Sequence, residues 1–293
     1  MDLLEAIAID ITAATGVRAP CERLGSVGGG CINQAMRLRY GNNTYFVKFN
    51  TVDKLDMFAA EAAGLKALQG GHGLHIPAPV CWGKNRQSAW LVMEHLELGG
   101  RPRPQALGEG LAAMHRMIQA DYGWYRNNTI GSTPQPNSTC NDWIEFWRER
   151  RLRFQLELAA RNGVTGALQS RGELLLELFP TLFESHHPQA SVLHGDLWSG
   201  NHAYTYSGKP AIFDPAVYFG DRETDLAMTE LFGGFGREFY AAYNSAWPLD
   251  SGYQVRKKLY NLYHILNHFN LFGGAYAGQA QSMIDSLLSE LRR

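Results

Sequence analysis

The sequence predicts an α+β protein built as two lobes: a small β-rich one over residues 1–97 that opens with a helix, and a larger, mainly helical one over 98–293. Three observations carry this expectation. Between residues 21 and 96, short β-like runs alternate with Gly, Asn and Pro punctuation. From residue 106 onward, apolar residues recur at the three- and four-residue spacing of buried helix faces. Within that second region stands His194-Gly195-Asp196-Leu197-Trp198-Ser199-Gly200-Asn201, followed by a β-like run that ends Phe213-Asp214-Pro215.

In chain order, Leu3, Leu4, Ile7, Ala8 and Ile11 share one face of an amphipathic helix. Asp2, Glu5 and Asp10 interrupt its apolar run, so it does not read as a signal peptide. Residues 32–40 and 44–50 flank Gly41-Asn42-Asn43 as a hairpin. Residues 54–69 read as a helix closed by Gly70, Gly71 and Gly73. Pro77 and Pro79 mark a connection, and 88–94 is an apolar strand. The Gly- and Pro-containing stretch 98–104 is the expected crossover. Leu107, Leu111, Met114 and Ile118 give a helix over 106–119, and 120–140, rich in Asn, Thr, Pro and Gly, reads as a long loop. Helices follow over 141–161 and 172–182; short β-like pieces at 192–193 and 211–213 bracket the polar motif, and the chain is mostly helical from 221.

The motif H-x-D-x-x-x-x-N, followed by a strand ending in Asp, has the composition of a phosphoryl-transfer centre in the bilobal protein-kinase-like fold. Such a reaction needs a carboxylate to orient and deprotonate a hydroxyl, which is the candidate role of Asp196. It also needs oxygen ligands for Mg²⁺ on ATP, for which Asn201 and Asp214 are the candidates. The same residue types also make ordinary turns. Lys48 stands mid-strand in Tyr45-Phe46-Val47-Lys48-Phe49, where a lone charge is costly to bury. Glu61 is a charge among alanines in the next helix, and the two are expected to pair and aim the amine at phosphates. Gly28, Gly29 and Gly30 form a candidate phosphate-covering loop, imperfect as G-x-G-x-x-G because Asn33 replaces the third glycine. Met93, Glu94, His95 and Leu96 would read adenine through backbone groups, with Met93 equally suited to core packing. His194 reads as a structural hydrogen-bonding residue and Asp225 as a brace for the loop, although acidic residues also suit a helix start. Trp198 is either a wall beside a substrate or lobe core. Cys31 lies in the glycine loop near Lys48, a setting that would lower a thiol pKa, so it is either a redox switch able to pair between molecules or an inert small residue.

The motif, the block from Phe213 to Gly234, the Gly28–Asn33 loop and Leu262-Tyr263-His264-Ile265-Leu266-Asn267-His268 together resemble the fructosamine kinase (ketosamine-3-kinase) family, over nearly the whole chain. The resemblance implies ATP- and Mg²⁺-dependent phosphorylation of the 3-hydroxyl of ketosamines, free or protein-bound, giving an unstable adduct whose breakdown frees the amine. It implies Asp196 as the catalytic base, Asn201 and Asp214 as metal ligands, Lys48 as the ATP lysine with Glu61 its partner, and Trp198, His264, Asn267 and His268 as substrate-side candidates. Gly195 replaces the Arg of H-R-D, Pro215-Ala216 replaces Phe-Gly, and no A-P-E segment follows, so no phosphorylated activation loop is expected. The alternatives are an aminoglycoside- or choline-type phosphotransferase and a non-catalytic ATP-binding module.

A net charge of −1, from 27 basic and 28 acidic residues, gives no reason to expect a nucleic-acid or anionic-membrane partner. Of the four cysteines none forms a C-x-x-C pair, so reduced thiols in a cytoplasmic protein are expected, as a monomer or, through Cys31, a redox-dependent dimer.

Overall fold

The computed structural model describes residues 2–28 and 32–292. Gly29, Gly30 and Cys31 of the glycine loop lie outside the described residues. The chain divides into two compact units, one running as far as Arg103 and taking in His202–Pro215, the other comprising Pro104–Asn201 and the residues from Ala216 onward.

In the first unit, α1 (Leu3–Thr15) begins with a reciprocal cap. The Glu5 N–H donates to Asp2 Oδ1 at 2.8 Å, and the Asp2 N–H donates to Glu5 Oε2 at 3.2 Å. The strands β1 (Cys21–Val27), β2 (Gln34–Tyr40), β3 (Asn43–Thr51), β4 (Pro79–Lys84) and β5 (Ser88–Glu94) form one antiparallel sheet in the order β1-β2-β3-β5-β4. Alternation along the strands decides what each face carries. Met36, Leu38, Tyr45, Val47, Trp90 and Val92 form one apolar cluster with Ile7 and Ile11 of α1. Lys48, next to Val47, therefore points to the other face, where α2 (Leu55–Leu68) packs.

The hairpin β10 (His202–Tyr204) and β11 (Pro210–Ile212) groups with the first unit, whereas the boundary expected at residue 97 leaves it in the second region. Its backbone is claimed by the first unit. The N–H groups of Gly99 and Gly100 donate to the Tyr204 carbonyl at 3.0 and 3.1 Å, Tyr206 donates to the Glu97 carbonyl, and His75 donates to the Pro210 carbonyl at 2.8 Å.

The second unit contains α3 (Pro104–His115) and the three-stranded sheet β12-β9-β6, formed by β6 (Ile118–Gln119), β9 (Ala190–Leu193) and β12 (Tyr218–Gly220). Its other helices include α6 (Ala167–Leu178), α7 (Glu223–Leu231), α8 (Arg237–Ala246), α9 (Tyr253–Phe272) and α10 (Tyr276–Glu290). α9 is buried on nearly every side, as its unbroken run from Leu259 to Asn267 shows. The helix expected over 141–161 is α4 (Trp143–Trp147) and α5 (Phe154–Arg161) joined by a π-helical segment, Arg148–Arg153, that turns Arg151 inward. The expected long loop is also corrected, because it holds the hairpin β7 (Asn128–Ile130) and β8 (Thr133–Gln135), closed by Gly131 at φ 60°. Among the described residues no helix is long and apolar enough to cross a membrane.

A buried ion network ties α7 to α9. Glu223 receives a two-pronged grip from Arg256 at 2.8 and 2.9 Å, and Asp221 Oδ2 accepts from the Tyr260 hydroxyl at 2.6 Å and faces His186 Nε2 at 2.7 Å. Burial alone would lower the His186 pKa, but the hydrogen bond and charge of Asp221 win and raise it. Protonated His186 therefore stabilises the fold fully below its unfolded pKa of about 6.5, and the contribution is lost as pH rises through the higher folded value. His186→Gln is expected to flatten the fall in Tm as pH rises above about 6.5, measured by thermal unfolding across buffers.

Candidate active site

Lys48 on β3 and Glu61 on α2 meet as the sequence predicts. The Lys48 ammonium donates to Glu61 Oε1 at 2.6 Å and also pairs with Asp214, which follows β11. All three belong to the first unit. Burial would lower the Lys48 pKa, but the two carboxylates raise it, Asp214 foremost, so it stays protonated. Burial and the second carboxylate push Glu61 upward against the pull of Lys48. One ammonium against two carboxylates leaves an anionic excess, which suits a divalent cation bound to phosphate. Asp214 sits at φ 59°, a left-handed conformation that non-glycine residues seldom adopt, and its side chain is 43% exposed. Strain of this kind is kept where a side chain must be aimed.

In the second unit β9 delivers the catalytic-loop motif. The Asn201 amide nitrogen donates to the Asp196 carbonyl at 2.8 Å and to Asp196 Oδ2 at 3.3 Å, so its oxygen is the end suited to a cation. Asp225, at the start of α7, braces the loop through its backbone. Oδ2 accepts from the His194 N–H at 2.7 Å and Oδ1 from the Gly195 N–H at 2.8 Å. Burial would raise the Asp225 pKa, but the His115 side chain, His194 and the Gly195 N–H together hold it below the ordinary value. His194 is fully buried, and its Nδ1 accepts from the Asp196 N–H at 3.3 Å, which is the structural part expected of it. Gly195 has φ 81°, and a Cβ there would collide with the Ala216 carbonyl, whose own N–H donates to the His194 carbonyl at 2.8 Å. The replacement of Arg by Gly in the motif thus has a steric cause.

The Trp198 indole lies over Gly200, where any Cβ would strike the ring, and is 39% exposed. It is surface and not lobe core. His268 is half-buried between Phe232, Phe272 and Tyr276, with its Nδ1 on the His264 carbonyl at 2.8 Å. His264 and Asn267 are almost wholly buried on α9. His264 is pushed down to about 3, first by burial, so it is neutral, and Asn267 Oδ1 accepts from Gln155 Nε2. Both therefore sit within the packing of a helix that is buried on nearly every side. Gly28 is exposed with open space around its Cα. Met93 is core at 2% exposure, and the Glu94 carboxylate is engaged by His75 at 2.9 Å and the Ala78 N–H at 3.2 Å, while His95 and Leu96 are half-buried.

Two groups of residues had no sequence signal. His115 of α3 reaches Asp225 Oδ2 at 3.1 Å. Gln135 and Asn128 of the β7–β8 hairpin donate to the Ala216 and Val217 carbonyls at 3.0 and 2.8 Å, just after Asp214-Pro215. Arg151 supports that hairpin by donating to Asn137 Oδ1 and the Pro136 carbonyl while lying over the Tyr218 ring at 4.0 Å. The Asn-rich composition that suggests a loop is in fact a polar network pinning the short segment that leads into β12.

A family model for fructosamine kinases matches residues 3–290. The "probable ketoamine kinase" of Synechocystis sp. is 45% identical over 287 residues, 97% of this chain and 96% of that protein. The chloroplastic protein-ribulosamine 3-kinase of Oryza sativa subsp. japonica is 42% identical over 271 residues, 91% of this chain and 79% of that protein. The crystal structure of a Haemophilus somnus protein assigned as a fructosamine-3-kinase superposes with a TM-score of 0.89 at 27% identity, over 98% of this chain and 100% of that one. The α+β kinase-like fold expected from the sequence is the fold of this chain.

Proposed function

The chain belongs to the fructosamine kinase family, and we propose from that membership and its own residues that it transfers the γ-phosphoryl group of ATP to the 3-hydroxyl of a ketosamine. The observation that carries the reading is the buried Lys48 ammonium held between Glu61 and Asp214, an arrangement that aims a fixed positive charge toward phosphate oxygens. Asp196 takes the proton of the 3-hydroxyl as its oxygen bonds to the γ-phosphorus and ADP leaves. Asp214 and Asn201 are the oxygen donors proposed for Mg²⁺, which when bound offsets charge on the β- and γ-phosphates. The backbone of Glu94 to Leu96 is the proposed adenine edge. Trp198 supplies an apolar wall for the sugar and His268 a polar edge. The 3-phosphorylated product breaks down and frees the amine, a deglycation repair.

The test is ADP release with a fructosamine, a ribulosamine, an aminoglycoside and choline, each with and without a chelator. Turnover with at least one ketosamine, abolished by chelation, is expected. Turnover only with the aminoglycoside or choline overturns the substrate reading, and no turnover with any acceptor overturns the kinase.

A further inference from the structure

Behind the catalytic loop, a line of buried side chains continues past Asp225 that the proposed reaction does not use. The His115 ring is fully buried, with Nε2 at 3.1 Å from Asp225 Oδ2 and Nδ1 at 2.8 Å from the Tyr243 hydroxyl on α8. The Tyr243 oxygen in turn accepts from Arg222 Nη1 at 3.0 Å. The Arg222 guanidinium is fixed from outside, lying 4.1 Å over the Trp247 ring and donating to the Trp247 and Pro248 carbonyls at 3.1 and 2.6 Å. Donor and acceptor assignments follow from the end that cannot change. Arginine only donates, so the Tyr243 oxygen accepts there and its proton is left for His115 Nδ1. The ring then carries its proton on Nε2, aimed at Asp225.

We infer that His115 and Tyr243 are positioning residues for the catalytic base: they fix the Asp225 carboxylate that holds the His194 and Gly195 N–H groups, and so place Asp196. The inference rests on the kinase reading for its effect on turnover, but not for its effect on the loop. Without the His115 donor, Asp225 Oδ2 keeps one partner of two and the carboxylate can rotate. The two loop amides would then open more often while the apolar packing of α3 on α8 persists. Gly108 on α3, which lies so close to the Phe239 carbonyl that a Cβ would not fit, shows how tightly these helices pack without the polar relay.

The test uses Tyr243→Phe, which removes only the hydroxyl, and His115→Gln, whose amide nitrogen can still reach Asp225. Hydrogen exchange of the peptide spanning residues 192–198 reads the loop with no substrate present. Tyr243→Phe is expected to speed exchange of the His194 and Gly195 amides about tenfold, the loss of roughly one hydrogen bond, and to lower kcat by a similar factor with KM for ATP nearly unchanged. His115→Gln is expected to retain more of kcat than His115→Leu. In an Asp225→Asn background, Tyr243→Phe is expected to add nothing further. Unchanged exchange in Tyr243→Phe, or an equal loss in Asp225→Asn and wild-type backgrounds, overturns the inference. Faster exchange in a protein that phosphorylates no ketosamine leaves the positioning role standing and removes the substrate reading instead.

Discussion

Asp196→Asn is expected to reduce turnover by roughly 10²- to 10⁴-fold while ATP still binds. The carboxylate oxygen Oδ2 accepts from the Asn201 amide, and an asparagine there keeps the shape and the carbonyl side of that contact. What it loses is the ability to take a proton and the negative charge that orients the acceptor hydroxyl. Lys48, Glu61 and Asp214, which would meet the nucleotide, all lie in the other unit and are untouched. Nucleotide titration by calorimetry beside the ADP-release rate checks both halves. Turnover within about threefold of wild type would remove Asp196 as the base.

Gly195→Ala is expected to cost about 2–5 kcal/mol of stability and to leave little activity at any temperature. Two penalties add here. The residue occupies φ 81°, which an L side chain resists, and its Cβ would meet the Ala216 carbonyl, a backbone atom with no rotamer to yield. That carbonyl is itself pinned by the Gln135 amide, and the Ala216 N–H is bonded to the His194 carbonyl, so this segment cannot retreat without breaking both. Denaturant unfolding monitored by tryptophan fluorescence measures the first effect. An alanine variant as stable as wild type would show that the loop has another conformation available.

The parts of this site that were legible in the sequence are those in which chemistry and local pattern coincide. Lys48 stood out because a charge stands in an otherwise apolar strand, and the partner it needs lies in the next helix. The spacing of the His194–Asn201 motif likewise put Asp196 and Asn201 in one loop, where the two hydrogen-bond. His115 and Gln135 could not be found by such means. A histidine at the end of an amphipathic helix and a glutamine in an Asn-Pro-Thr stretch look like surface, and only partners 110 and 81 residues away make them buried and necessary. Two of the substrate-side candidates, His264 and Asn267, are buried for a related reason. The spacing of His264, Asn267 and His268 names a helix, but the burial of that helix on nearly every side is a property of its neighbours. The β10–β11 hairpin, short and flanked by polar turns, gave no sign of which sheet-bearing unit would claim its backbone.

That hairpin has a bearing on biosynthesis. The first unit is discontinuous in the chain: its last strands and Asp214 are translated about a hundred residues after its sheet. Domains usually complete themselves as they leave the ribosome, but this one must wait for most of the other unit to be made. Until then the Lys48 ammonium has Glu61 alone for a counter-charge, and Glu97, Gly99 and Gly100 lack their backbone partners in the hairpin. A nascent chain stopped at residue 103 would leave those groups without these partners.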